Sequence, residues 1–311
     1  MLIQLPASFV RATLDREGAA ATGWLAGLPA AAELLMTRWG CQPDGEATHG
    51  GVGIVIPVRR SGEPTVLKLS PQHPGNAREP DALAAWNGHG AVRLLERDDE
   101  HGAMLLEQAH RTTLTQVDSD DEVAQAAGGL HRLLTIPAPP RMPRLQDQAD
   151  AWEQQLHHDR HELAHHLTAP AVDAALATIR DLGRAQPGLL VHGDYHARNI
   201  LAADRAPWLA IDPKGLVGDP AYDAGTLVKA RAWQIHDRGD LRRAVHRFLD
   251  AFTEAACLDR ARARRWAQLH AVQAAFGGRR RGFRVARTGP QRDQVVRFAE
   301  QLAHLLTDPG R

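Results

Sequence analysis

An α+β fold in two lobes, a small β-rich N-terminal lobe and a larger, mainly helical C-terminal one, is predicted by three observations. Aliphatic and β-branched runs cluster between residues 51 and 107. Ala-, Leu-, Gln- and Arg-rich stretches with helical spacing dominate from residue 119 onward, and one β-like island, residues 188–215, interrupts them. A chain of 311 residues can bury two such cores, and the spacing places the lobes at residues 1–107 and 108–311.

The elements follow in order. Residues 51–60 and 63–70 are rich in Val, Ile and Leu, and Ser61-Gly62 between them reads as the turn of a hairpin. A short helix is expected next, with Pro80 near its start and Gly88 near its end. Two more strands, residues 91–96 and 103–108, complete the order strand, strand, helix, strand, strand. Pro137, Pro139, Pro140 and Pro143 mark a linker within the helical part. In the island, the apolar run Leu189 to Val191 delivers His192, Gly193 and Asp194. A short loop leads to Asn199, and Ile200 to Ala203 returns to the core. Trp208 to Ile211 then ends at Asp212, where Pro213 stops the strand.

Composition narrows the function. Lys and Arg total 37, as do Asp and Glu, so no whole-molecule field would draw in nucleic acid or an anionic membrane. Cys41 and Cys257 are the only cysteines, which suits a reducing compartment better than a disulfide scaffold or a zinc site. No leader is evident at the N-terminus, and no stretch reaches the ~18 apolar residues of a membrane span, so a soluble cytoplasmic protein is expected.

Asp194, Asn199 and Asp212 are three oxygen-bearing side chains at strand and loop ends. Any one alone would more simply be a turn or capping residue. The ordered set matches phosphoryl transfer, which needs a group to orient the acceptor hydroxyl and accept its proton, and hard oxygen ligands for magnesium at the nucleotide phosphates. Such a reaction also needs a strand lysine held by a helical glutamate. Lys68, in an otherwise apolar strand, and Glu79, at the start of the next helix, stand in those places, the alternative being a lysine that snorkels from an edge strand.

His192-Gly-Asp-Tyr-His-Ala-Arg-Asn-Ile-Leu and Ile211-Asp-Pro-Lys-Gly, followed by Gly218-Asp-Pro-Ala-Tyr-Asp223, resemble the aminoglycoside phosphotransferases, in the branch of streptomycin 6-phosphotransferase and hydroxyurea kinase. The resemblance is specific over Val191 to Asp223 and looser in the N-terminal part. It implies a two-lobed fold like that of protein kinases, ATP in the cleft, Asp194 as catalytic base, and Asn199 and Asp212 as magnesium ligands. Tyr195 departs from the family's usual Leu. The implied reaction moves the γ-phosphate of ATP to a hydroxyl of a small molecule, such as an aminoglycoside of the streptomycin type. Hydroxyurea, another neutral or anionic metabolite, or a non-catalytic nucleotide-binding module of the same fold are the alternatives.

Further residues take expected roles around this frame. Gly51 and Gly53 would let a hairpin approach the phosphates, and backbone groups from Glu107 to Ala109 would meet adenine. Lys214 could steady the transferring phosphate or simply be solvated. His192 and Asp223 would brace the catalytic loop, and Asp219 with Pro220 would cap a helix. His161-Glu-Leu-Ala-His165 satisfies H-E-x-x-H, but Leu156, Leu163 and Leu167 form the apolar stripe and leave the histidines on a solvated face. Arg279, Arg280, Arg281, Arg284 and Arg287 could form a basic patch that opposes a cationic acceptor, or pair with nearby acids. Glu254, Asp259 and Glu300 are the acidic candidates for the acceptor site.

Overall fold

The structure, a computed structural model, describes residues 3–163, 166–283 and 288–307. Two helices come first, α1 (Ala7–Glu17) and α2 (Ala21–Arg38), followed by strands β1 (Cys41–Pro43), β2 (Thr48–His49), β3 (Ile54–Arg60) and β4 (Glu63–Leu69). Helix α3 (Glu79–Trp86) and strands β5 (Leu94–Asp98) and β6 (Ala103–Glu107) complete one six-stranded antiparallel sheet in the order β1-β3-β4-β6-β5, with β2 on β3. Ser61 and Gly62 both take positive φ, 53° and 86°, which suits the twist of a two-residue hairpin joining β3 to β4. Helix α3 stops at Asn87, left-handed at φ 45°.

Alternation along the strands decides what each face does. Ile54, Ile56, Val58, Leu67, Leu69 and Leu105 point to one face and pack with Leu25, Leu28, Ala32 and Leu35 of α2. Leu35 is fully buried, so its truncation to Ala would cost about 2–5 kcal/mol. Lys68, between Leu67 and Leu69, therefore projects from the opposite face, toward α3. Helices α1 and α2 were not legible as such. With the turn between them, Ala7–Arg38 passes, by length and composition, as apolar enough to cross a membrane, at a mean hydropathy of 1.2 in its best window. That corrects the expectation that no such stretch exists: the many alanines raise the average without forming a run of large apolar residues. In the fold, the stripe of α2 is covered by the sheet.

The remainder is mainly helical: α4 (Asp120–Leu134), α5 (Ala149–Glu162), α6 (Ala169–Thr178), α7 (Ala224–Ile235), α8 (Leu241–Ala256), α9 (Arg260–Arg281) and α10 (Gly289–Thr307). Ser119 caps α4 through the amide of Glu122, and Asp259 caps α9 through that of Arg262. The island folds as two small antiparallel pairs: β7 (Leu189–Val191) with β10 (Leu216–Gly218), and β8 (Ile200–Leu201) with β9 (Leu209–Ala210). Trp86, Met104 and Leu106 belong to the same buried cluster as Tyr195, Leu209 and Phe252, so the front of the sheet is joined to the helical part by apolar packing.

Candidate active site

Strand β7 ends at Val191, and the next residues turn tightly enough to need glycine. Gly193 has φ 80°, and a side-chain carbon there would meet Leu216 at 2.8 Å. The Asp223 carboxylate lies beneath this turn and accepts the amides of His192 and Gly193 at 3.0 and 2.8 Å. His192 donates from Nε2 to the carbonyl of Ile211 at 2.9 Å, which leaves Nδ1 as an acceptor facing the Asp194 amide at 3.3 Å. Burial lowers the pKa of this imidazole, the carboxylates of Asp223 and Asp194 opposing it, so His192 is a neutral brace. Asn199 donates to the carbonyl of Asp194 at 3.0 Å, closing the loop and leaving its own side-chain oxygen as the acceptor. The Asn199 carbonyl accepts from Ile211, which ties Asp212 to the same loop. Tyr195, the departure from the family pattern, is fully buried and donates to the carbonyl of Ala127 in α4 at 2.6 Å.

Asp212 connects this loop to the sheet. Lys68 donates from Nζ to Glu79 Oε1 at 2.5 Å and to Asp212 Oδ1 at 2.7 Å. Asp212 stands in the left-handed region at φ 57°, an unusual backbone for a residue with a side chain. Burial acts against the Lys68 charge, but Asp212 and Glu79 more than compensate, and its pKa is raised. One ammonium between two carboxylates cannot fully serve both. Burial, with Asp212 adding to it, pushes Glu79 up to about 7 against the pull of Lys68. Burial also disfavours the Asp212 charge, yet Lys68 holds its pKa below the usual value.

The other expected residues fall around these. The β2–β3 hairpin tip covers the cleft: a side-chain carbon on Gly50 would lie 3.6 Å from Asp212 Oδ2. Gly50 rather than Gly51 is thus the glycine nearest the site. The Gly51 carbonyl accepts from Arg16 at 3.0 Å, and Gly53 lies so close to Ser70 and Leu69 that no side chain fits. The Glu107 amide is already donated to the carbonyl of Arg93, and its carboxylate clasps Arg205 at 2.6 Å and the Arg93 amide at 2.9 Å. Glu107 therefore ties the sheet to the helical part, and its N–H is not free for adenine. Ala109 is partly buried against the core. Lys214 is exposed, with its amide on the carbonyl of His192 at 2.7 Å. Asp219 caps the turn at Pro220–Asp223 through the Ala221 amide and accepts from Trp266.

Several expectations are redirected. Glu254 is exposed on α8, Asp259 caps α9, and Glu300 pairs with Arg279 at 2.7 Å, so none of the three acids lines a cavity at the site. Arg280 pairs with Asp159, and Arg284 and Arg287 lie outside the described residues. His161 is 87% exposed, and His165 lies outside the described residues. Among the described residues no group of His, Cys, Asp and Glu could hold zinc. Sequence reading also missed His196 and Lys229. His196 Nε2 lies 3.6 Å from Asp194 Oδ1, and Lys229 on α7 is a half-buried cation within electrostatic reach of Asp194. Lys229 sits in a helix with no motif around it, so only the fold reveals it.

The donor set fits a magnesium ion. Magnesium takes hard oxygen ligands and commonly uses one or two protein side chains with phosphate oxygens and water, rather than a full protein cage. The Asp212 carboxylate, about a third exposed, and the Asn199 amide oxygen supply that pattern.

The family model for the aminoglycoside/hydroxyurea antibiotic resistance kinase matches residues 38–282. The chain is 37% identical over 272 residues to the streptomycin 6-kinase of Streptomyces glaucescens, covering 85% of this chain and 87% of that protein. It is 36% identical over 295 residues to the hydroxyurea phosphotransferase of Kitasatospora aureofaciens, covering 88% and 79% respectively. Among solved structures, an aminoglycoside phosphotransferase in ternary complex with ADP and hygromycin B superposes at a TM-score of 0.54 and 13% identity, covering 90% of this chain and 99% of that one. At that identity the likeness speaks for the fold, which is protein-kinase-like.

Proposed function

This chain belongs to the aminoglycoside/hydroxyurea antibiotic resistance kinase family, and from that premise we propose that it is an ATP- and magnesium-dependent phosphotransferase acting on a hydroxyl of a small molecule. The observation that carries the reading is the convergence on Asp212: Lys68 reaches it from the sheet at 2.7 Å, and the loop from Asp194 to Asn199 is fixed to it through Ile211. Lys68, held by Glu79, orients the nucleotide phosphates. Asp212 and Asn199 would hold magnesium, which would supply positive charge against the nucleotide phosphates. Asp194 orients the acceptor O–H and takes its proton as the new O–P bond forms, while the bond from the γ-phosphorus to the bridging oxygen breaks and ADP leaves. Lys214, exposed beside this loop, steadies the transferring group. His192 and Asp223 keep the loop in place through the hydrogen bonds described above. Adenine lies along the end of β6, near Ala109. Drawing on ATP, the enzyme works in the cytoplasm.

The relatives' names put streptomycin-type aminoglycosides and hydroxyurea at the head of the acceptors to try. The test is a coupled ADP-release assay with magnesium-ATP against streptomycin, other aminoglycosides, hydroxyurea and simple hydroxyl metabolites. Acceptor-dependent release is expected, with loss on chelation of magnesium and recovery on its return. ATP binding without release under any of these conditions would instead describe a nucleotide-binding module.

A further inference from the structure

On the helical side of Asp194 a cavity of about 240 Å³ opens beside the catalytic loop, walled by His196, Lys229, Trp233, Ala274 and Phe298 among others. Lys229 stands one turn after Gly225 on α7, and Ala274 one turn after His270 on α9, so the same two helix faces run on from the cavity to Gly225 and His270. The helices meet closely there, because a side-chain carbon on Gly225 would overlap the His270 ring. His270 is only 6% exposed, and its Nε2 is shielded without a hydrogen-bond partner. Burial, reinforced by Lys229 and Lys214, lowers its pKa to about 3, so the imidazole is neutral. Tyr222 packs edge-on against this ring at 4.4 Å between centroids and lies parallel to Trp152 at 6.1 Å.

Tyr222 and Trp152 are both half-buried. The Tyr222 hydroxyl has no hydrogen-bond partner among the described residues, whereas that of Tyr195 is bonded to the Ala127 carbonyl. Burial raises the Tyr222 pKa, and the charges of Asp223 and Asp194 add to it, which places this hydroxyl within electrostatic reach of the proposed base. An imidazole nitrogen shielded without a partner is costly. Beside Asp194, that cost and the free phenol hydroxyl have one explanation in common, a bound acceptor that supplies the missing partners. Phenol and neutral imidazole each donate and accept, so they suit hydroxyl groups rather than a fixed charge. Half-buried aromatic rings suit C–H surface. A ring carrying several hydroxyls offers both, whereas hydroxyurea has no C–H to offer.

We infer that Tyr222 and His270, with Trp152, set the acceptor preference: they receive a ring that carries several hydroxyls, of the sugar or cyclitol kind, and hold it so that one hydroxyl reaches Asp194. The cavity beside them takes the rest of the acceptor. The inference rests on the phosphotransferase reading and deepens it by naming residues that select the substrate.

Three probes test it on the full chain with magnesium-ATP: streptomycin and myo-inositol, which carry rings with several hydroxyls, and hydroxyurea, which has no ring. The better ring acceptor should exceed hydroxyurea about tenfold or more in kcat/KM for ADP release. Tyr222→Phe should raise KM for that acceptor about tenfold, with KM for ATP within about twofold and the melting temperature unchanged, since the lost hydroxyl has no protein partner. His270→Leu should raise the same KM without lowering the melting temperature, and Trp152→Leu should raise it as well. An unchanged acceptor KM in Tyr222→Phe, or an equal rise in KM for ATP, would overturn the assignment. So would hydroxyurea matching both ring probes. If no probe stimulates ADP release while slow, Asp194-dependent hydrolysis of ATP by water persists, the inference falls and the kinase reading stands; loss of that hydrolysis as well would sink the kinase reading.

Discussion

The two sides of Asp194 satisfy their charges differently. On the nucleotide side Lys68 lies between Glu79 and Asp212, and the turn at Gly193 rests on the Asp223 carboxylate, so each of these groups has a partner within the protein. On the acceptor side Lys229 lines a cavity walled by aromatic rings and answers Asp194 only at longer range. One ammonium answers two carboxylates in the first arrangement, which leaves negative charge that a bound magnesium would balance. The second is built from side chains of several helices and the loop, which is where a substrate preference can reside.

That contrast can be broken by mutation. Lys68→Met should cost most, about 3–5 kcal/mol in urea unfolding, because it leaves Glu79 buried without its counter-ion. The loss should be greater at pH 8 than at pH 5, since protonated Glu79 no longer needs the ammonium; a pH-independent loss would mean that Glu79 is not the residue left exposed to the penalty. Asp223→Ala should follow, because it strands two buried amides at ~1–3 kcal/mol each, and it should also lower kcat by loosening the Asp194 loop. Asp223→Asn, which keeps one acceptor, should recover part of both.

Glu79→Gln probes a smaller term. The folded-state pKa of Glu79, about 7, stands above its ordinary 4.5, so the folded protein holds that proton more tightly than the unfolded chain. Its contribution to stability is full below about 4.5 and is lost as pH rises to about 7. The variant should lack that descent in a plot of unfolding free energy against pH; an unchanged slope would remove Glu79 as its source. Smallest of all, Lys229→Met beside the loop should leave stability within ~0.5 kcal/mol or raise it, since only a longer-range attraction to Asp194 is set against the cost of burying the ammonium. A large loss there would show that the two sides are not different in kind.

The same contrast explains what was legible in the sequence. Residues 191–223 hold most of the proposed site within one continuous stretch, where strand ends, Gly193 and Pro213 fix the spacing of Asp194, Asn199, Asp212 and Asp223. Lys68 was legible because an ammonium in the middle of an apolar strand demands a partner. The hairpin from β3 to β4 and helix α3 were also readable, through Ser61-Gly62 and through Pro80 and Gly88 at the two ends of the helix. The acceptor side was not: its wall comes from the catalytic loop, α7, α9 and α10, which no local spacing connects. The acidic residues offered for it from position alone are used elsewhere, as a cap, a surface charge and an arginine partner. Helices α1 and α2 escaped because Ala and Gly dilute their apolar stripe and Pro29 interrupts its spacing.

The central claim is that Asp194 carries the transfer, and it is tested most directly by comparing Asp194→Ala with the unaltered protein. ADP release and magnesium-ATP binding should be measured on the same preparations, with the best acceptor of the panel. A fall in kcat on the order of 10²–10⁴-fold, with ATP affinity within about twofold and an unchanged melting temperature, is the result expected from removing the base. Near-normal turnover by the variant would contradict it and return the phosphoryl-transfer role to another residue of the loop.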